Sequence, residues 1–230
     1  MKEKLFLAKK AAAEVATGFV EYGMTIGLGT GSTTAIFAHL LGEKVGASRE
    51  GVRVVPTSHQ ARIEAITNNL RVVGLDEVET IDLAVDGADA VDKEKNLLKG
   101  GGAAQTLEKV VDYRAKELVI IVDHTKLVEN LACKPVPVET LPIAWKHVKK
   151  SVEETFDVES VVLREGSGKS GPIITDNGGF ILDIKFKEIT NPAKVEQQLN
   201  NLPGTLGNGI FTRKPLKVVV GKPDGTTTTL

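Results

Sequence analysis

The chain has 230 residues, with 29 lysines and arginines against 30 aspartates and glutamates for a formal net charge of -1. That length suffices for a substantial core in one large domain or two modest ones, on the usual scale of roughly 100–200 residues per domain, and the balanced charge offers nothing to draw the whole protein to nucleic acid or anionic lipid. A single cysteine, Cys133, excludes an internal disulfide, and no apolar run nears the roughly 20 residues that span a bilayer.

The expected partners are therefore small molecules or copies of the chain itself. Lys2, Glu3 and Lys4 interrupt any apolar signal-peptide core, so the reducing cytoplasm is the expected compartment.

Leu5, Ala8, Ala12, Val15 and Phe19 recur at steps of three and four, which predicts an opening amphipathic helix that Gly23 can end in a left-handed conformation. Apolar strand-sized runs then alternate with helical stretches: a strand at 24–28 and a helix at 33–41, a strand at 52–55 and a helix at 59–68, strands at 71–73 and 81–85, a helix after Gly102, and a strand at 118–122. This alternation predicts a Rossmann-like parallel sheet with helices on both faces.

The composition shifts near residue 130. From Pro135 onward the pattern predicts a short strand, a helix at 143–156, strands at 160–163, 172–175 and 180–185, a helix at 192–200 and a strand ending near Phe211. Pro135, Pro137 and Pro142 punctuate the entry, and Gly166, Gly168 and Gly171 mark a hairpin-like loop. The apolar run 216–220 is suited to return to the main sheet. The expected division is a catalytic domain of 1–130 with 212–230, interrupted by a small α+β, ferredoxin-like module at 131–211.

Several segments fall where parallel strands would end, and ligands of open parallel sheets collect beyond those carboxyl ends. Gly29-Thr30-Gly31-Ser32-Thr33 runs glycines and hydroxyls into a helix N-terminus, whose N–H groups and positive dipole end suit a phosphate. The same residues also suit a plain turn with Ser32 or Thr33 as N-cap. A dinucleotide site would want another glycine and an acidic residue ending the next strand, which instead reads Val55-Pro56-Thr57-Ser58. A P-loop would want a lysine after Gly31.

Asp86-Gly87-Ala88-Asp89 sets two carboxylates three residues apart after a strand, an arrangement able to hold or deprotonate the hydroxyls of a polyhydroxy substrate. Turn capping is the alternative. Metal binding is disfavoured because His39, His59, His124 and His147 have no ligand spacing. Lys99-Gly100-Gly101-Gly102 bares a backbone turn between an ammonium group and Glu108 on the following helix. Lys99 and the turn's N–H groups could steady an anionic oxygen while Glu108 takes a proton from carbon; a tight connection with a solvated Glu is the bland alternative. Lys126, after a further strand, offers a cation for a phosphate, and Lys9 on the opening helix is a weaker candidate of the same kind.

In this order the segments resemble the type A ribose-5-phosphate isomerases, marked by a GTGST loop (29–33), a DGAD segment (86–89) and a KGGG…EK segment (99–102 with Glu108-Lys109). The resemblance continues through Asp123-x-x-Lys126, Pro137-Val138-Glu139, Thr175-Asp176-Asn177-Gly178 and Asn208-Gly209-Ile210-Phe211, so it covers nearly the whole chain. It implies cofactor-free interconversion of ribose 5-phosphate and ribulose 5-phosphate in the non-oxidative pentose phosphate pathway, without a metal.

By matched position Glu108 would be the proton acceptor, Asp86 and Asp89 would bind sugar hydroxyls, and Asp86 would aid ring opening. Lys99 with Gly100, Gly101 and Gly102 would stabilise the oxyanion, and the phosphate would lie among Thr30, Gly31, Ser32, Thr33 and Lys126. The family implies a homodimer or homotetramer. Two positions depart from its pattern: Ala90 stands where Glu commonly follows DGAD, and Gly179 where Asn is frequent.

Two other functions compete. A non-catalytic sugar-phosphate sensor could share the architecture but would want a DNA-binding helix pair or basic face, and it gives Glu108 and Lys99 no purpose. A transferase with a glutamate nucleophile gives no reason for the paired aspartates.

Overall fold

The computed structural model describes residues 2–46, 51–166, 168 and 170–230. In chain order the elements are α1 (Lys2–Thr17), β1 (Thr25–Leu28), α2 (Ser32–Val45), β2 (Arg53–Pro56), α3 (His59–Thr67), β3 (Arg71–Val72), β4 (Ile81–Asp86), β5 (Ala90–Val91), β6 (Leu97–Leu98), α4 (Gln105–Arg114), β7 (Ala115–Asp123), β8 (Val136–Thr140), α5 (Trp145–Thr155), β9 (Val158–Leu163), β10 (Phe180–Phe186), α6 (Pro192–Asn200), β11 (Thr205–Asn208), β12 (Ile210–Phe211), β13 (Lys217–Gly221) and β14 (Thr227–Thr229). They form two compact units: Met1–Ala88 with Leu107–Lys126 and Lys214–Leu230, and Asp89–Thr106 with Leu127–Arg213.

The first unit is built on a seven-stranded sheet ordered β14-β13-β7-β4-β1-β2-β3. Every pairing is parallel except that of β14 with β13. Its central strands are near-continuous Val, Ile and Leu runs because both faces are covered. On one face Ile26, Leu28, Leu83, Val85, Val119 and Ile121 pack against Ala12 and Ala16 of α1, Phe37 and Leu41 of α2, and Ala61 and Ala65 of α3. On the other face α4 comes down over β1. A Cβ at Gly27 would lie 2.6 Å from Val111 Cγ1 and 3.1 Å from Ala84 Cβ, so glycine alone fits beneath that helix.

Helix α1 turns a face of alanines inward, with Ala8, Ala11, Ala12, Ala13 and Ala16 all buried. Its approach is close enough that a Cβ at Gly221 of β13 would collide with the Ala8 carbonyl and lie 3.1 Å from Ala8 Cα. The helix ends at Thr17, before the expected stop. The Gly18 and Phe19 N–H groups turn back to the Val15 and Ala16 carbonyls at 3.1 Å, tightening the final turn. Gly23, at φ 86°, is left-handed as expected but serves the return into β1, donating to Gly51 O at 2.6 Å.

In the second unit β8, α5, β9, β10, α6 and β11 follow one another, and the antiparallel sheet is ordered β11-β8-β10-β9. This is the ferredoxin-like βαββαβ arrangement. Val136, Val138, Val161, Leu182 and Ile184 pack against Val148 and Val152 of α5 and Leu199 of α6. Pro192 opens α6, and the Asn191 side chain caps it by accepting the Lys194 N–H at 3.0 Å.

A three-stranded sheet, β12-β6-β5, belongs to the same unit. Through it the contacts group Asp89–Thr106 with the second unit, whereas the sequence reading placed that stretch with the first. The strand expected at 172–175 is absent as a strand. Only single bridges join Glu165 to Pro172 and Ile174 to Phe180, because Pro172 lacks an N–H and Thr175 closes a turn onto Gly179 O at 3.0 Å. The run at 216–220 does return to the main sheet, as β13 beside β7. Among the described residues no helix is long and apolar enough to cross a membrane.

Candidate active site

Strands β7, β4 and β1 are parallel neighbours, so their carboxyl ends open on one edge of the first unit's sheet. The loop after β1 is held there by Asp86, the last residue of β4, which is fully buried. Asp86 Oδ1 accepts the Thr30 N–H at 3.2 Å and the Gly87 N–H at 2.6 Å, while the Gly29 N–H donates to Val85 O at 3.0 Å. Gly29 is required by this approach: a Cβ there would come within 2.6 Å of Asp86 Cβ and closer still to its carboxyl group.

Gly31 has φ 125°, which L side chains rarely adopt, and it is the N-cap of α2. No side chain caps that helix, so the alternative in which Ser32 or Thr33 is the N-cap does not hold; both lie in the helix's first turn. Thr30 Oγ1 lies 2.9 Å from Thr57 Oγ1 and donates to Ser58 Oγ at 2.6 Å, and the Gly31 N–H donates to Gln60 Oε1 at 2.9 Å. Lys9 Nζ reaches across from α1 to Ser32 Oγ at 2.9 Å. A cation and an uncapped helix start therefore meet at this loop, which favours an anion.

Glu108 stands in the first turn of α4 and is 4% exposed, and Asp112 follows one turn later, fully buried. The bland alternative for Glu108, a solvated side chain, is thereby excluded. Lys126 closes the short 3-10 turn after β7 and is half-buried. Asp123 shapes that turn by accepting the Thr125 N–H at 3.0 Å. Among the described residues no group of three or more His, Cys, Asp or Glu side chains is placed to hold a metal ion.

The second unit holds the remaining candidates. Asp89 Oδ2 accepts the Gly101 N–H at 2.7 Å, and Lys134 Nζ donates to Asp89 O at 2.8 Å. Lys99 is 2% exposed, its N–H donates to Gly209 O at 2.8 Å, and its ammonium lies 5.5 Å from the centroid of the Phe211 ring. Gly100 has φ 95°, and a Cβ on it would meet Gln105 Oε1 at 2.7 Å and Pro137 Cγ at 2.8 Å. Ala103 follows at φ 60° with its N–H on Gly100 O at 3.0 Å. A cavity of about 330 Å³ opens beside the turn, lined among others by Asp89, Gly101, Lys134 and Arg164. At Gly179 a Cβ would lie 2.5 Å from Glu139 Oε1, so no larger residue fits there without movement.

The structure thus joins Thr30, Asp86 and Gly87 in one network, and Asp89 with Gly101 in another. The residues the sequence reading did not single out are Thr57, Ser58 and Gln60. Their signal was their position just past β2, beside β1, where polar side chains reach the same edge.

The family model for ribose 5-phosphate isomerase A (phosphoriboisomerase A) matches residues 53–225. The chain is 49% identical over 219 residues to ribose-5-phosphate isomerase A of Thermococcus kodakarensis and 48% identical over 219 residues to that of Pyrococcus horikoshii, covering 94% of this chain and 95% of each relative. It superposes with a TM-score of 0.94, at 46% identity and 98% coverage of both chains, on a D-ribose-5-phosphate isomerase in complex with phospho-erythronic acid. The score is 0.91, at 42% identity and the same coverage, for ribose 5-phosphate isomerase A of Methanocaldococcus jannaschii. With a match across most of its length and relatives this similar, the chain belongs to the ribose 5-phosphate isomerase A family.

Proposed function

We propose that the chain interconverts D-ribose 5-phosphate and D-ribulose 5-phosphate through an enediolate, with Glu108 carrying the proton between C2 and C1. The observation that carries the reading is a carboxyl group set in the first turn of α4 and almost withdrawn from solvent, in a chain of this isomerase family. Withdrawal shields the abstracted proton from exchange and keeps the intermediate from random protonation. The step moves hydrogen between adjacent carbons with no net redox change, so one carboxylate and well-aimed donors suffice.

Asp86 and Asp89 hold the sugar hydroxyls, and Asp86 aids ring opening. Glu108 takes the C2 proton, Lys99 and the Gly100, Gly101 and Gly102 turn stabilise the charged oxygen, Glu108 returns the proton to C1, and the C2 hydroxyl proton passes to the C1 oxygen to leave a ketone at C2. The phosphate is held at Thr30, Gly31, Ser32 and Thr33 with Lys126. Lys9, hydrogen-bonded to Ser32, adds a second cation. A non-catalytic sensor is not favoured, since burying Glu108 and Lys99 costs solvation that ligand binding alone gives no reason to spend.

The same reading puts the protein in the non-oxidative pentose phosphate pathway of the cytoplasm, as a homodimer or homotetramer acting on a small sugar phosphate. The lone exposed Cys133 suits a reducing compartment.

The test incubates purified protein with ribose 5-phosphate in EDTA and follows ketose formation, beside Glu108→Gln. The variant should keep its circular dichroism and lose at least about 10²-fold in kcat. No turnover by wild type refutes the assignment, an unaffected variant refutes Glu108 as the base, and activity lost in EDTA would return Asp86 and Asp89 to a metal role.

A further inference from the structure

We infer that Arg164 is a positioning residue for this reaction: without touching substrate, it aims the peptide N–H groups of the glycine turn. The inference rests on the isomerase reading above. Arg164 follows β9, with its own N–H on Ile181 O at 2.8 Å, and faces Asp183 of β10. Its Nε donates to Asp183 Oδ2 at 2.7 Å and its Nη2 to Oδ1 at 2.5 Å, a fork-to-fork pair with side chains only 15% and 24% exposed. The remaining nitrogen, Nη1, donates to Gly100 O at 2.9 Å and to Gly101 O at 3.2 Å. The guanidinium charge is thus met by Asp183. What it delivers to the turn is direction.

Three consecutive glycines leave a backbone with more conformations than any other tripeptide, so a turn built from them needs an outside constraint to hold one geometry. A trans peptide is planar, with its N–H opposed to its C=O. Fixing the Gly100 carbonyl on Arg164 therefore turns the Gly101 N–H the opposite way, onto Asp89 Oδ2 at 2.7 Å. Fixing the Gly101 carbonyl turns the Gly102 N–H away from Arg164 in the same manner. The Lys99 N–H is taken by Gly209 O and the Ala103 N–H by Gly100 O. An oxyanion served by this turn is then left the Gly100 and Gly102 donors, and the Arg164 contact sets the aim of the second. One guanidinium fixes both that donor and the carboxylate of Asp89. Lysine, whose donors all sit on one ammonium nitrogen, could keep the charge but not the planar fork.

The test compares wild type with Arg164→Ala, Arg164→Lys and Asp183→Asn. It measures kcat and KM for ribose 5-phosphate separately, and the KI of 4-phosphoerythronate, whose carboxylate mimics the charged intermediate. Misaiming a donor by about 1 Å costs up to about 10²-fold, so Arg164→Ala should lose about 10–10²-fold in kcat with KM shifted less than about threefold. KI should rise in step with the loss of kcat, as expected for contacts made to the intermediate rather than the substrate. Arg164→Lys should restore little, and Asp183→Asn should fall between.

A purely structural role would reduce the folded fraction and leave KI untouched, and that result overturns the inference. So does a folded Arg164→Ala with wild-type kcat and KI, while the isomerase assignment stands. A wild type without turnover overturns both. Should Arg164→Ala fail to fold, Arg164→Lys carries the same measurements and the same refuting result.

Discussion

Replacing Gly29 by alanine tests the packing of the loop after β1 against Asp86. Two carbons in ordinary contact lie about 3.4 Å apart or more, yet the new methyl carbon would be 2.6 Å from Asp86 Cβ and nearer to the carboxyl carbon and Oδ1. Asp86 is fully buried at the end of a central strand, so it has no open space to swing into. Either its carboxyl group or the loop must move by about 1 Å, which is an overpacking error worth about 1–3 kcal/mol of stability. The same shift breaks the Asp86 bonds to the Thr30 and Gly87 N–H groups, so it disturbs together the loop proposed to hold phosphate and the carboxylate proposed to hold the sugar. Displacement on that scale is worth about 10²-fold in kcat/KM. Urea unfolding and steady-state kinetics on ribose 5-phosphate read both quantities. A folded Gly29→Ala protein with wild-type stability and kcat/KM would show that Asp86 is not held against this loop.

Gly179→Ala should be destabilised by about 1–3 kcal/mol, because the added methyl presses on the buried Glu139 that accepts from Thr175 Oγ1 and Asn177 Nδ2. For a chain of this size that lowers Tm by at least about 2 °C in calorimetry, and an unchanged Tm contradicts it. Asp82 has a carboxyl pKa lowered first by its hydrogen bond from Lys116 at 2.7 Å and then by the Thr25 N–H at 2.9 Å. A depressed folded-state pKa gives stability that is complete above the unfolded carboxylate value of about 3.9 and is lost as pH falls through the folded value. Urea titrations should therefore show wild type more stable than Asp82→Asn near neutrality, with the gap closing in acid; a gap independent of pH would disprove the pairing.

Much of the fold could be read from periodicity because its elements are locally consistent. The runs at β1, β4 and β7 are apolar on both sides as a covered parallel sheet demands, and Pro192 with Asn191 announces α6. What could not be read needed partners distant in the chain. Asp89–Thr106 joins the second unit through β5 and β6 pairing toward β12, and no feature of that stretch names Ile210 or Phe211 as its neighbour. The apolar spacing runs past the end of α1 because Phe19 keeps it and still packs on the core after the helix has ended.

Spacing marks Asp86, Asp89, Lys99 and Glu108 as candidates, since each lies in or beside a recognisable turn. Thr57, Ser58 and Gln60 were hidden because their partners, Thr30 and Gly31, become neighbours only once β2 lies beside β1. Arg164 was hidden for the same reason, 64 residues from the carbonyl it holds.

The alanine face of α1 has a consequence for Lys9. That lysine follows Ala8, whose carbonyl rests against the bare backbone of Gly221, so the root of its stem stands at a height above the sheet gauged by a backbone-to-backbone contact. A bulkier residue at 8 or 221 would act as a shim, lifting the helix and drawing the ammonium off Ser32. The calibration of a cation near the start of the chain is thereby entrusted to a glycine close to its other end.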